Sequence, residues 1–160
     1  MQVNAGVLAG TGTILGDATL ADGARIAPGD PATAAGVGTL TMGSLTWNGG
    51  GSMDFQLGAT AAVSDRLDLF TGPLAKGTAG SYLFHFGMGA LPPQAGTVYT
   101  LIQSNSVSGF AATDFSFDFD GTYATLAGSF AINACGVGCI TLAFQASSVT
   151  VERIFADGFD

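Results

Sequence analysis

The stretch Gly6–Leu20, GVLAGTGTILGDATL, holds three short apolar runs, GVLAG (6–10), GTILG (12–16) and DATL (17–20), each of the first two bounded by glycines and divided from the next by Thr11 or by nothing at all. Ala24–Ile26 (ARI) follows after one Asp-Gly turn, and GTLTMG (38–43) and SLTW (44–47) continue the pattern. Strands this brief, separated by one or two turn residues, suit a solenoid in which each strand pairs with the turn of chain below it. One turn of such a coil cannot bury its apolar side alone, so turns must stack. A β-sandwich, the alternative architecture, calls for longer strands at wider spacing.

Further along, the period becomes a plain alternation of two. Met53, Phe55 and Leu57 oppose Ser52, Asp54 and Gln56, and Leu67 and Leu69 oppose Arg66 and Asp68. Tyr82, Phe84 and Phe86 oppose Leu83 and His85; Phe115, Phe117 and Phe119 oppose Ser116, Asp118 and Asp120; Ile140, Leu142 and Phe144 oppose Thr141, Ala143 and Gln145. Successive side chains of a strand point to opposite faces, so each segment reads as a half-buried strand with one wet face. Turn chemistry separates them at Asp22-Gly23, Pro28-Gly29-Asp30, Asn48–Gly51, Pro92-Pro93, Asp120-Gly121 and Asp157-Gly158. No segment carries a persuasive 3.6-residue apolar period. The expectation is an all-β chain.

Composition agrees. The 160 residues include 25 Gly and 12 Phe but only 16 charged side chains, 12 acidic and four basic, for a net charge of −8. Charged residues make up 10%, against about 25% in an average soluble domain. Glu152 is the sole glutamate and Lys76 the sole lysine, so the residues that helices favour are scarce. Nucleic acid is a poor partner for a chain without clustered Lys and Arg. Disorder is excluded by the wealth of aromatic and branched side chains. The length suits one domain over 1–160, with 111–160 as a set of capping strands.

The N-terminus shows no basic or apolar region of signal-peptide type. From Gly121 to Val151 no residue is charged, yet Asn133, Gln145 and repeated Gly, Ser and Thr interrupt the run, so a spanning helix is not expected. Cys135 and Cys139 flank Gly136-Val137-Gly138, a loop tight enough to let the sulfurs meet. One histidine, His85, cannot complete a zinc site with them. A local disulfide is the favoured reading and fits an oxidising compartment; two reduced, buried thiols are the alternative.

Gly6–Ile14, followed by Gly16-Asp17, Gly23-Ala24, Ala27–Asp30 and Gly38–Thr41, resembles the passenger-associated repeat of bacterial autotransporters, which runs roughly G-x-L-x-G-x-G-x-V, a turn, x-P-G and a G-x-L-x-V strand. Ser64–Leu69 and Gly96–Phe110 resemble segments that often follow it, so the likeness covers about residues 2–110. It implies a right-handed parallel β-helix exported to the cell surface or beyond. The chain departs from that family in showing no signal and no translocator barrel, and residues after 110 fall outside the pattern. The tail Arg153–Asp160 is similar to short C-terminal tails of some exported gammaproteobacterial proteins; its plain reading is the end of a final strand beginning at Val149.

Few residues suggest chemistry. Asp54 and Asp68, expected outward on neighbouring strands, would form a carboxylate pair at glycosidase-like spacing if those strands stacked; solvated surface acids are the plainer reading. Asp118 and Asp120, with Asp114 nearby, are weak calcium candidates, but position twelve counted from Asp118 is Ser129 and not the bidentate Glu of a calcium loop. His85 faces away from Phe84 and Phe86 and has no partner legible in sequence. Gly10–Gly12 and Gly49–Gly51 lack the remainder of a phosphate-binding motif and read as corners. Trp47, Tyr82, Tyr99 and Tyr123 would offer sugar-stacking platforms if exposed, although Tyr82 alternates inward. The sum is a non-enzymatic, extracellular structural or adhesive β-solenoid that self-associates into an oligomer or filament, with no catalytic residue and no required cofactor. The alternative is a carbohydrate-binding or carbohydrate-active module, with a surface glycan as partner.

Overall fold

A computed structural model describes residues 1–70, 72–121 and 124–151. It is all-β among those residues, with two 3-10 turns at Ala61–Val63 and Ala112–Asp114. The strands are β1 (Gln2–Val3), β2 (Gly6–Gly10), β3 (Gly12–Leu20), β4 (Ala24–Pro28), β5 (Thr39–Trp47), β6 (Ser52–Leu57), β7 (Arg66–Leu69), β8 (Pro73–Lys76), β9 (Tyr82–Met88), β10 (Val98–Ser104), β11 (Ser106–Ser108), β12 (Phe115–Asp120), β13 (Ala124–Gly136) and β14 (Cys139–Val151).

They form two sheets. The first runs β1-β3-β5-β7-β10-β14-β13, with β8 and β11 continuing beside β5; the second runs β2-β4-β6-β9-β12. From β2 to β12 the chain crosses from one sheet to the other at every step, counting β7–β8 and β10–β11 as interrupted strands. Every strand pairing among β1–β12 is parallel. The two sheets remain open at their edges. β13 and β14 depart from this order: they form an antiparallel hairpin whose second strand pairs antiparallel with β10. The Cys135–Cys139 disulfide closes its tip.

The alternation read from sequence sorts side chains as expected on β6, β7 and β9, whereas on β14 Ala143, expected outward with Thr141 and Gln145, is buried. Met53, Phe55, Leu57, Leu67, Leu69, Tyr82, Phe84 and Phe86 are buried between the sheets. Parallel register stacks them, so that Met53 lies beside Phe84 and Phe84 beside Phe117, while Phe55, Phe86 and Phe119 make a second stack. Trp47 packs edge-on against Phe84 at 5.3 Å between centroids, and Phe144 from β14 meets Phe86 at 4.9 Å. Polar tips inside this core find partners: Trp47 Nε1 donates to Gly51 O at 2.8 Å and Tyr99 Oη donates to Gly58 O at 2.8 Å. Burial of Trp47, Tyr82 and Tyr99 removes them as sugar platforms, because their rings fill the space between the sheets; Tyr123 lies outside the described residues.

The glycines divide into two kinds. Gly23 adopts φ +76°, a conformation that favours glycine at its turn. Gly43 is required instead by crowding, since a Cβ there would sit 2.8 Å from Gly16 O on the neighbouring strand.

Candidate functional site

In-register parallel strands turn a period of two into rows of side chains. The segments MDFQ (53–56), FHFG (84–87) and FDFD (117–120) lie side by side on β6, β9 and β12. Their inward residues form the aromatic stacks described above. Their outward residues form two rows, Asp54–His85–Asp118 and Gln56–Gly87–Asp120. Adjacent members of a row are about 4.8 Å apart at the backbone.

In the first row, His85 Nδ1 is 2.8 Å from Asp118 Oδ1 and 2.9 Å from Asp118 Oδ2. At the other end Arg25 Nη1 bonds Asp54 Oδ2 at 3.2 Å. Asp54 Oδ1 and Gln56 Oε1 are enclosed with no hydrogen-bond partner. Gln56 is held from the other side, its Nε2 donating to Thr33 O at 2.9 Å. Arg25, Asp54, Gln56, His85, Asp118 and Asp120 line a concavity of about 510 Å³ on the outer face of the second sheet.

Asp65 also borders this hollow, and it is 3% exposed. Its oxygens accept the backbone N–H groups of Gly38 and Gln56, both at 2.7 Å. Burial raises its carboxyl from 3.8 to about 6, against the opposite pull of those two bonds. Asp65 therefore ties β6 to the segment entering β5 while keeping little of its charge in acid.

Several sequence-based expectations need correction. Asp54 and Asp68 are not neighbours: Asp68 sits on β7 in the first sheet, opposite Thr41 and Gln103, and faces Arg66 at 3.8 Å. The proposed carboxylate pair does not form, because alternate segments of the chain enter different sheets. His85 is not isolated, for Asp118 meets it across the β9–β12 boundary. Asp118 and Asp120 do share an exposed face. Asp114 points elsewhere, accepting the Ala111 N–H at 2.8 Å and pairing with Lys76 at 3.0 Å. The Ala111 bond, then Lys76, hold its carboxyl below the ordinary range. Among the described residues no group of three or more His, Cys, Asp or Glu side chains is arranged to hold a metal ion. Arg153–Asp160 lie outside the described residues.

The Asp–His–Asp row escaped a segment-by-segment reading, yet its signal is present. Aligning the three four-residue segments on Phe55, Phe86 and Phe119 superposes Asp54, His85 and Asp118. No protein-family model matches the chain, and no curated protein matches it either.

Proposed function

We propose that this chain is a module of an exported β-solenoid with a structural or adhesive, non-enzymatic role, and that it associates with a second copy through its N-terminal strand edges. A right-handed parallel β-helix is the architecture we infer. Parallel pairing and the regular crossing between two sheets support it, since a sandwich would draw chiefly on antiparallel hairpins. The β13–β14 hairpin serves in this reading as the C-terminal cap. The disulfide favours an oxidising, extracellular setting, and no helix among the described residues is long and apolar enough to cross a membrane.

One observation carries the self-association. β2 is paired with β4 on one side only, and β1 covers β3 only at Thr19 and Leu20. The open edges of β2 and of Gly12–Gly16 thus lie together, and no residue from Met1 to Gly16 has a charged side chain. Val7 and Leu15 are 53% and 94% exposed there. Natural sheets protect such edges with charge, proline or a covering element. At the opposite end the first sheet finishes in antiparallel strands and β12 carries Asp118 and Asp120, so the two ends are not matched for head-to-tail stacking. A head-to-head pair with two-fold symmetry follows more naturally than an open filament.

Light scattering coupled to size exclusion tests this over a concentration series. Dimer formation that disappears in the Val7→Lys, Leu15→Lys double variant is the expected result. A monomer at every concentration overturns the reading, and negative-stain images of long fibres overturn the head-to-head form.

A further inference from the structure

Gly87 interrupts an otherwise side-chain-bearing row. Gln56 precedes it in register and Asp120 follows, while His85 stands two residues before it on the same face. A Cβ built on Gly87 would meet nothing closer than Gln56 Cγ at 3.9 Å, and the residue has no left-handed φ. Neither crowding nor backbone conformation demands glycine here. What the missing side chain leaves is a hollow ringed by acceptors.

The chemistry of the ring selects its occupant. Asp54 Oδ1 and Gln56 Oε1 have no hydrogen-bond partner but are sealed from solvent, so an occupant meets the groups of the rim. Asp118 and Asp120 add carboxylate oxygens, and Arg25 and His85 add N–H groups on the same rim. An anionic ligand such as a phosphate would face four aspartates, Asp54, Asp65, Asp118 and Asp120. A bare cation would face the Arg25 guanidinium at Asp54 and lacks a third convergent ligand. Hydroxyl groups suit both needs, because each donates to an acceptor and accepts from a donor. The volume of about 510 Å³ lies within the range of small-ligand sites.

We propose that the hollow over Gly87 is a saccharide-binding site, in which hydroxyls of a neutral sugar donate to Asp118 and Asp120 and accept from Arg25 and His85. The site lies on the outer face of the second sheet and is independent of the strand edges invoked for self-association, so either can fail without the other. It is distinct from the rings of Trp47, Tyr82 and Tyr99, which are buried. Recognition here rests on hydrogen bonds across three strands.

The test uses the 160-residue chain on an array of immobilised neutral oligosaccharides, followed by calorimetric titration of the strongest one retained. Gly87→Val fills the hollow with a side chain the strand accommodates. It is expected to weaken binding by about tenfold or more while leaving the melting temperature within about 2 °C of the parent. Asp120→Asn, which retains an acceptor but can present a donor, is expected to weaken it less. No retained oligosaccharide overturns the proposal, as does Gly87→Val binding as well as the parent. Glycan retention that vanishes in EDTA, with calcium chloride alone raising the melting temperature, also overturns it in favour of a cation site.

Discussion

His85 Nδ1 lies 2.8 Å from Asp118 Oδ1, although the two residues are 33 positions apart in the chain. The contact exists because β9 and β12 are adjacent and in register, with Phe84 beside Phe117 and Phe86 beside Phe119. The aromatic stacks inside therefore position the polar pair outside. Asp118 is 58% exposed and the pair is washed by solvent, so its removal is expected to be mild. Asp118→Asn should change unfolding free energy by no more than about 0.5 kcal/mol in denaturant titration. A larger loss would mean that the row holds the edge strand in place.

The same reasoning makes the inward face costly to alter. Phe84 is fully buried and touches Trp47, Phe55 and Phe86 with centroids 5.3 to 5.6 Å apart. Phe84→Ala should cost about 3–5 kcal/mol, from lost transfer energy and the cavity left behind. Chemical denaturation at neutral pH measures it, with Phe84→Leu expected to recover part of the loss.

Asp65 gives the fold a pH dependence of defined sign. Its folded value of about 6 lies above the ordinary 3.8, so folding favours the protonated form. The corresponding stability is fully present below about pH 4 and is lost as pH rises through 6. A shift of this size corresponds to about 3 kcal/mol. Asp65→Asn removes the titration but offers an amide to one of the two N–H donors. Its cost should be about 1–3 kcal/mol at pH 4.5 and should shrink as the pH approaches 7.5. A cost that grows with pH would show that the two backbone bonds, from Gly38 and Gln56, outweigh burial.

Cys135 and Cys139 bridge a short loop at the tip of β13–β14, with Cα atoms 5.1 Å apart. Closing so few residues restricts the unfolded chain only modestly, by about 2 kcal/mol on the loop-entropy account. Cys135→Ser with Cys139→Ser should lower the melting temperature by about 4–8 °C without altering the strand content seen by circular dichroism. Unfolding of the double variant at room temperature would show instead that the hairpin depends on the bridge.

Much of this architecture is legible locally. Alternation at Met53–Leu57, Tyr82–Phe86 and Phe115–Asp120 dictates which side chains are buried, because a strand has a period of two whatever lies beside it. Glycine and Asp-Gly punctuation marks the turns, and the four-residue spacing of Cys135 and Cys139 makes their bridge a local matter. The Asp54–His85–Asp118 row is a different kind of fact. Its members come from three segments whose partners, Asp54 with His85 and His85 with Asp118, depend on which strand each segment pairs with. Alternation names a face and never a neighbour. That is why Asp68, on an equally alternating segment, belongs to the other sheet, and why His85 looks solitary until β12 is laid against β9. The acidic, charge-poor composition likewise leaves open where the few charges gather. Pairing of parallel strands through the packing of Phe55, Phe86 and Phe119 brings four of them, Arg25, Asp54, Asp118 and Asp120, to one rim, and leaves Gly87 as the gap between them.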